Sequence, residues 1–213
     1  MPRYILCHSP GACSEVSLNA LEECGLPYEL KLVNLMKGEQ GGDAYLAVSP
    51  LGKVPALLVD DDIIIENAAI IVYIHALAPQ GGIFPAAPAP RMLADMQAGL
   101  SFCGGTLHPL VRGIANPFRI TTGDVEPVRE MALKLAGKSF AYVEKRLAER
   151  GWWLGQWSII DVYLNWAFSV ALRGPFDPAP FPHLQDLKRR LSERPAFARV
   201  QAINAKARET LGY

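Results

Sequence analysis

An α/β domain followed by an all-helical one is what this sequence predicts, and three features predict it. A strand–helix–strand pattern fills the first 33 residues, a proline- and glycine-rich interval occupies 78–90, and only helical spacing is found beyond it. The first domain, residues 1–79, is expected to run β-α-β-α-β-β-α on a mixed four-stranded sheet. A linker at 80–89 and a helical domain at 90–213 complete the expected division.

Each element has a local reason. Tyr4 to Cys7 are strand formers that lead into a Pro10–Gly11 turn. From Ser14 onward Val16, Ala20 and Leu21 share a helical face, and Gly25 marks the stop. Tyr28 to Val33 reads as a second strand, which completes a βαβ unit with a right-handed crossover. Residues 34–49 are less regular, with KGEQGG a loop and DAYLAV a short helix. KVPALLV at 53–59 and III at 63–65, joined by the acidic turn DDD, predict a hairpin. Helical spacing then resumes from Glu66 to Leu77.

Pro79, Pro85, Pro88 and Pro90, with Gly81 and Gly82, make a poor helix or central strand and a good linker. Helices are expected near 90–107, 125–150, 158–172, 183–192 and 196–209. The longest carries Val128, Met131, Leu135, Tyr142 and Leu147 at near-helical spacing. The apolar run IIDVYLNWAFSVAL at 159–172 is too short to span a bilayer and holds Asp161, so it reads as a buried central helix.

Composition narrows the function classes. The 213 residues are 50% hydrophobic, enough for a substantial core, and 21 basic residues balance 21 acidic ones. Such a balance argues against a nucleic-acid or anionic-membrane partner. The four cysteines, Cys7, Cys13, Cys24 and Cys103, have neither the number of a disulfide scaffold nor the paired spacing of a zinc site. No metal is expected, and reduced thiols in a cytoplasmic compartment are. The opening MPRYILCHSPG has too short an apolar run for a signal peptide.

Three segments bear on chemistry. In SPGACS, Cys13 and Ser14 sit where a helix begins, next to unpaired backbone N–H groups and the positive end of the macrodipole. A thiol so placed ionises more readily than the ordinary value of about 8.5 allows. Taken locally, Cys13 is either such a thiol or a small residue in a tight turn, and Ser14 either a donor to sulfur or ligand or a helix cap. In Lys53-Val54-Pro55-Ala56, a cis bond before Pro55 would turn the Val54 backbone toward an extended peptide-like ligand, although spacing alone favours trans at a sheet edge. Glu66 and Asn67 open a helix and are suited either to a ligand's amine and carboxylate or to capping.

In this order, ahead of an all-helical domain, SPGACS, GKVPAL and IENAAI resemble the corresponding motifs of the cytosolic glutathione transferases, over essentially the whole chain. The cysteine in the first turn is most similar to the bacterial beta class. The resemblance implies a thioredoxin-like first domain binding glutathione as co-substrate, and a helical domain contributing the pocket for the second substrate. It implies Cys13 as the active-site thiol, with Ser14 beside it and His108 facing the sulfur. It implies Val54 along the cysteinyl part of glutathione with Pro55 as the cis-proline, Lys53 next to them among the glutathione-binding residues, Glu66 and Asn67 at the γ-glutamyl end, and Lys37 toward the glycyl carboxylate. Phe102, Leu107, His108, Leu110 and Val111 become candidates for the electrophile pocket. The family more often has serine where this chain has Asn67. Trp157 to Asp161 resembles the family's capping box, a structural element.

The expected activity is therefore transfer of a thiolate to small apolar electrophiles, or reduction of a disulfide or peroxide, by a cytoplasmic homodimer. A glutathione-dependent isomerase or dehalogenase, and a non-catalytic binding or regulatory protein, are the rival classes.

Overall fold

The computed structural model describes residues 2–86 and 88–213. The chain forms two compact units. One takes the stretch up to Ala86 together with Ser192–Tyr213, and the other runs on to Leu191.

The first unit is built on a four-stranded sheet. Strands β1 (Tyr4–His8), β2 (Glu29–Leu32), β3 (Ala56–Val59) and β4 (Asp62–Ile65) lie in the order β2-β1-β3-β4. β1 runs parallel to β2, with Leu6 opposite Leu30, and antiparallel to β3, with Cys7 opposite Ala56. β3 and β4 form the expected hairpin, with Asp60 at φ 51° in its tight turn. Helices α1 (Ser14–Cys24), α2 (Asp43–Leu46) and α3 (Asn67–Leu77) follow the sequence pattern, and α1 stops at Gly25, whose φ of 62° an L side chain rarely adopts. Strand periodicity sends alternate side chains of β1 to opposite faces. Cys7 packs with Val33, Tyr45, Val54 and Ala56, while His8 turns toward α1 and α9 (Pro195–Leu211).

KVPALLV becomes strand only from Ala56. Pro55 has no N–H to give a ladder, and the backbone of Lys53 is already engaged, its carbonyl accepting the Tyr45 and Ser49 hydroxyls at 2.9 Å each. Helix α9 packs on α1, fixed by paired contacts of Arg194 with Glu23 at 2.8 Å and of Arg199 with Glu22 at 2.6 Å.

The regular structure among the second unit's described residues is all helical, with α4 (Pro90–Ser101), α5 (His108–Ala115), α6 (Glu126–Arg150), α7 (Ile159–Ala171) and most of α8 (Pro182–Ser192). The helix expected near 90–107 in fact continues to Ala115. A π-helical turn over Phe102–Leu107, in which the His108 N–H reaches the Cys103 carbonyl, joins α4 to α5. Gly104, Gly105 and Pro109 look like breakers in sequence, yet the wider turn absorbs the glycines and Pro109 falls in the first turn of α5.

The α6 core face also differs from the sequence stripe. Ala132, Ala136, Phe140, Val143 and Leu147 are buried, whereas Met131, Leu135 and Tyr142 are exposed. Small residues let α5 and α6 approach closely: a Cβ on Gly113 would stand 2.8 Å from that of Ala132. Helix α7 is buried along nearly its whole length, as its composition predicts.

Candidate active site

The segment between β1 and α1 winds down in a series of tight turns. The Ala12 N–H reaches the Ser9 carbonyl, that of Glu15 reaches Ala12, and that of Val16 reaches Cys13, at 3.0–3.1 Å. Cys13 already has helical dihedrals, so its thiol stands at the amino end of α1, almost wholly covered. The thiol donates to the carbonyl of Val54 at 3.3 Å, directly before the cis Val54–Pro55 bond. Spacing alone favours trans there, and the resemblance implies the cis form observed.

Asn67 is the second partner of this turn. Its amide nitrogen donates to the Cys13 carbonyl at 3.0 Å and its amide oxygen accepts the Ser17 hydroxyl at 2.6 Å. The asparagine side chain is thereby spent on tying the start of α3 to the start of α1. What remains at this terminus for an anion is the backbone. Glu66, just before it, is exposed and holds φ 72° and ψ 125°, a region that costs a non-glycine residue about 1–3 kcal/mol.

Ser14 differs from its sequence reading. It is fully buried, and its hydroxyl lies 2.9 Å from His8 Nδ1, accepts the Ser9 N–H at 3.2 Å, and lies 3.3 Å from the Ser9 carbonyl. His8 Nε2 in turn lies 2.8 Å from Asn204 Oδ1 on α9. With that oxygen as acceptor, the proton of His8 sits on Nε2 and Nδ1 accepts from Ser14. Burial, reinforced by the charge of Arg208 and opposed by the bond to Asn204, lowers the His8 pKa to about 4, so the ring is neutral near pH 7.

The cations implied for the ligand are solvent-facing. Lys37 is exposed in the turn after β2, its N–H donating to Asn34 Oδ1 at 3.1 Å, and the Lys53 side chain is exposed beside Val54. The site thus brings Val54 and Asn67 each into direct contact with Cys13, while Lys37, Lys53 and Glu66 are exposed.

His108 belongs to the helical unit. Its Nδ1 lies 3.3 Å from the Tyr163 hydroxyl and its ring stands 4.6 Å from that of Trp166, edge to face. Of the four apolar candidates, Leu107 and Val111 are core residues and Phe102 stacks on Trp153. Leu110 lines an apolar cleft of about 430 Å³ between α5 and α6.

His8, Ser17, Asn34 and Asn204 are absent from the sequence expectations. Only His8 carries a local signal, a histidine closing an otherwise apolar strand. The others act through contacts that no local pattern encodes.

Known proteins align with this arrangement. A family model described as the glutathione S-transferase N-terminal domain matches residues 11–77. A maleylacetoacetate isomerase of Pseudomonas aeruginosa is 32% identical over 87% of this chain and 89% of its own. Glutathione S-transferase GstA of Escherichia coli O157:H7 is 32% identical over 89% and 93% respectively. Among solved structures, a glutathione transferase homologue from Sulfitobacter with bound glutathione superposes with a TM-score of 0.86. It is 27% identical, and the match covers 95% of this chain and 98% of that one.

Proposed function

We propose, for a chain that belongs to the cytosolic glutathione transferase superfamily, a glutathione-dependent enzyme of the transferase–isomerase kind that works beside Cys13. The observation carrying this reading is the Cys13 sulfur at the amino end of α1, 3.3 Å from the carbonyl of Val54. The residues present suit a tripeptide with an anion at each end. Backbone N–H groups open α3 next to Glu66 for the γ-glutamyl end, Val54 offers its backbone to the cysteinyl part, and the exposed Lys37 and Lys53 suit the glycyl carboxylate. Bound there, glutathione supplies a sulfur nucleophile.

The chain's own groups would do the rest. The amino end of α1 favours negative charge on a sulfur set against it. An amide N–H arriving at Val54 competes with the Cys13 thiol for that carbonyl and turns the thiol toward the incoming sulfur. Asn67 keeps the Cys13 backbone fixed meanwhile, through the 3.0 Å bond to its carbonyl. In the helical unit we assign His108, oriented by Tyr163 and Trp166, to the second substrate. The finer assignment is to the beta class, which rests on the cysteine in the first turn. It carries thiol–disulfide or peroxide chemistry besides conjugation of small apolar electrophiles, in a cytoplasmic homodimer.

Similarity to the P. aeruginosa maleylacetoacetate isomerase favours a second reading, glutathione-dependent isomerisation. Retention on immobilised glutathione, with wild type and Cys13→Ser compared, tests both. Loss of disulfide reduction in Cys13→Ser supports the beta-class reading. Isomerisation of maleylacetoacetate by wild type, without conjugation of a chloronitroarene, supports the second. No retention with millimolar glutathione overturns both.

A further inference from the structure

We infer that the turn after α9 is a clip that positions both loops flanking the proposed glutathione groove, with Tyr213 as its positioning residue. This rests on the reading above, in which Cys13 lies beside the cysteinyl sulfur and Lys37 at the glycyl end of that groove.

The clip consists of contacts converging from one helix end on two separate loops. The Leu35 N–H donates to the Tyr213 hydroxyl at 3.1 Å, and the same hydroxyl shares a hydrogen bond with Ser9 Oγ at 3.3 Å. Ser9 begins the turn that ends at Cys13, and Leu35 lies two residues before Lys37. One phenol therefore bridges the thiol loop and the lysine loop.

A second contact reinforces it. Asn34 Nδ2 donates to the Leu211 carbonyl at 3.1 Å, and the lysine loop is wound around the same asparagine. Asn34 Oδ1 accepts the Lys37 N–H at 3.1 Å, its N–H donates to Glu39 Oε2 at 2.7 Å, and its carbonyl accepts the Glu39 N–H at 3.2 Å. Further back on α9, Asn204 reaches Ser14 through His8, at 2.8 and 2.9 Å. Residues on both sides of Cys13, Ser9 and Ser14, thus take their positions from α9.

The helix is a firm base for such a device, since Arg194 and Arg199 hold it to α1. Its end is shaped for the purpose. Gly212 at φ 73° turns the chain back, and the Tyr213 N–H closes on the Arg208 carbonyl at 3.0 Å. Tyr213 is 44% exposed, so removing its hydroxyl opens no core cavity. A bond worth about 0.5–1.5 kcal/mol corresponds to roughly a 2- to 12-fold change in an equilibrium.

Tyr213→Phe in the full chain is the test, with a thermal melt to show that the fold is kept. The expected results are faster exchange of the Leu35 amide and glutathione binding weakened about 5-fold, read as a raised KM with kcat nearly unchanged. An unchanged Leu35 amide overturns the clip. Faster exchange with affinity within about 2-fold of wild type overturns its positioning role. Should wild type itself fail to bind glutathione, the transferase reading falls separately. The clip is then judged by iodoacetamide modification of Cys13, followed on its own peptide. A rate changed about 3-fold or more in Tyr213→Phe supports the clip, and an unchanged rate overturns it.

Discussion

Each unit buries a titratable side chain close to the start of a helix, and the two are held in opposite ways. In the helical unit Asp161 accepts the Trp153 N–H at 2.9 Å, the Ser158 N–H at 2.9 Å and the Ser158 hydroxyl at 3.1 Å, all from within eight residues. In the sheet unit His8 lies between Ser14, six residues away, and Asn204, 196 residues away. The first network is a capping box that closes on its own helix. The second joins a strand, the thiol loop and a distant helix. Burial drives both toward neutrality, raising Asp161 to about 6 and lowering His8 to about 4. A structural carboxylate can be secured locally. The loop that carries the Cys13 thiol is secured from elsewhere in the chain.

The largest expected effect breaks the local network. Asp161→Ala orphans two buried backbone donors, the Ser158 N–H at the start of α7 and the Trp153 N–H in the loop before it, which costs about 4 kcal/mol at 1–3 kcal/mol for each unsatisfied group. Urea denaturation measures it, and a loss under about 1 kcal/mol would refute the role given to Asp161.

Next in size is the pH dependence, where the two residues act with opposite sign. Asp161 is raised above its ordinary 3.8, so its share of stability is present below pH 3.8 and is lost as pH rises through about 6. His8 is lowered from 6.5, so its share is present above pH 6.5 and is lost as pH falls through about 4. At 1.36 kcal/mol per pH unit each gap is worth about 3 kcal/mol. Between pH 4 and 6.5 the wild type therefore shows a flattened profile. Asp161→Asn should make it acid-labile in thermal melts, and His8→Gln should reverse the slope. Parallel profiles for all three proteins would defeat this account.

A smaller effect is expected at Asn67. Asn67→Ala removes the bonds to Cys13 and Ser17 and costs about 2 kcal/mol, at roughly 1 kcal/mol for each hydrogen bond. It should also speed alkylation of Cys13, because the carbonyl of that residue loses its tether. Stability within about 0.5 kcal/mol of wild type would show that the asparagine is held by α3 alone.

The same contrast explains what was legible in the sequence. Strand and helix order in the sheet unit follows from periodicity and from Gly25, and the capping box is visible because its members are three residues apart. Cys13, Val54 and Asn67 stand out as motifs. The purposes of Ser14 and Asn67 do not, because each hydroxyl or amide has several partners within reach and only the folded chain decides among them. Ser14 turns to His8, and Asn67 to Ser17 and the Cys13 carbonyl. The α6 stripe misleads for a related reason. Apolar spacing marks a helix but cannot distinguish a face closed by Ala132 and Ala136 from one that carries Met131 and Leu135.

The π-helical turn at Phe102–Leu107 bears on the register of the two helices it joins. A ring closed from His108 to Cys103 holds one residue more than an α-helical ring, so an extra residue is accommodated without turning the helix on either side out of phase. Deleting Gly104 or Gly105 should let α4 run straight into α5 with both flanks keeping their faces. His108 and the face it shares with Val111 thus keep their phase whether or not the extra residue is present.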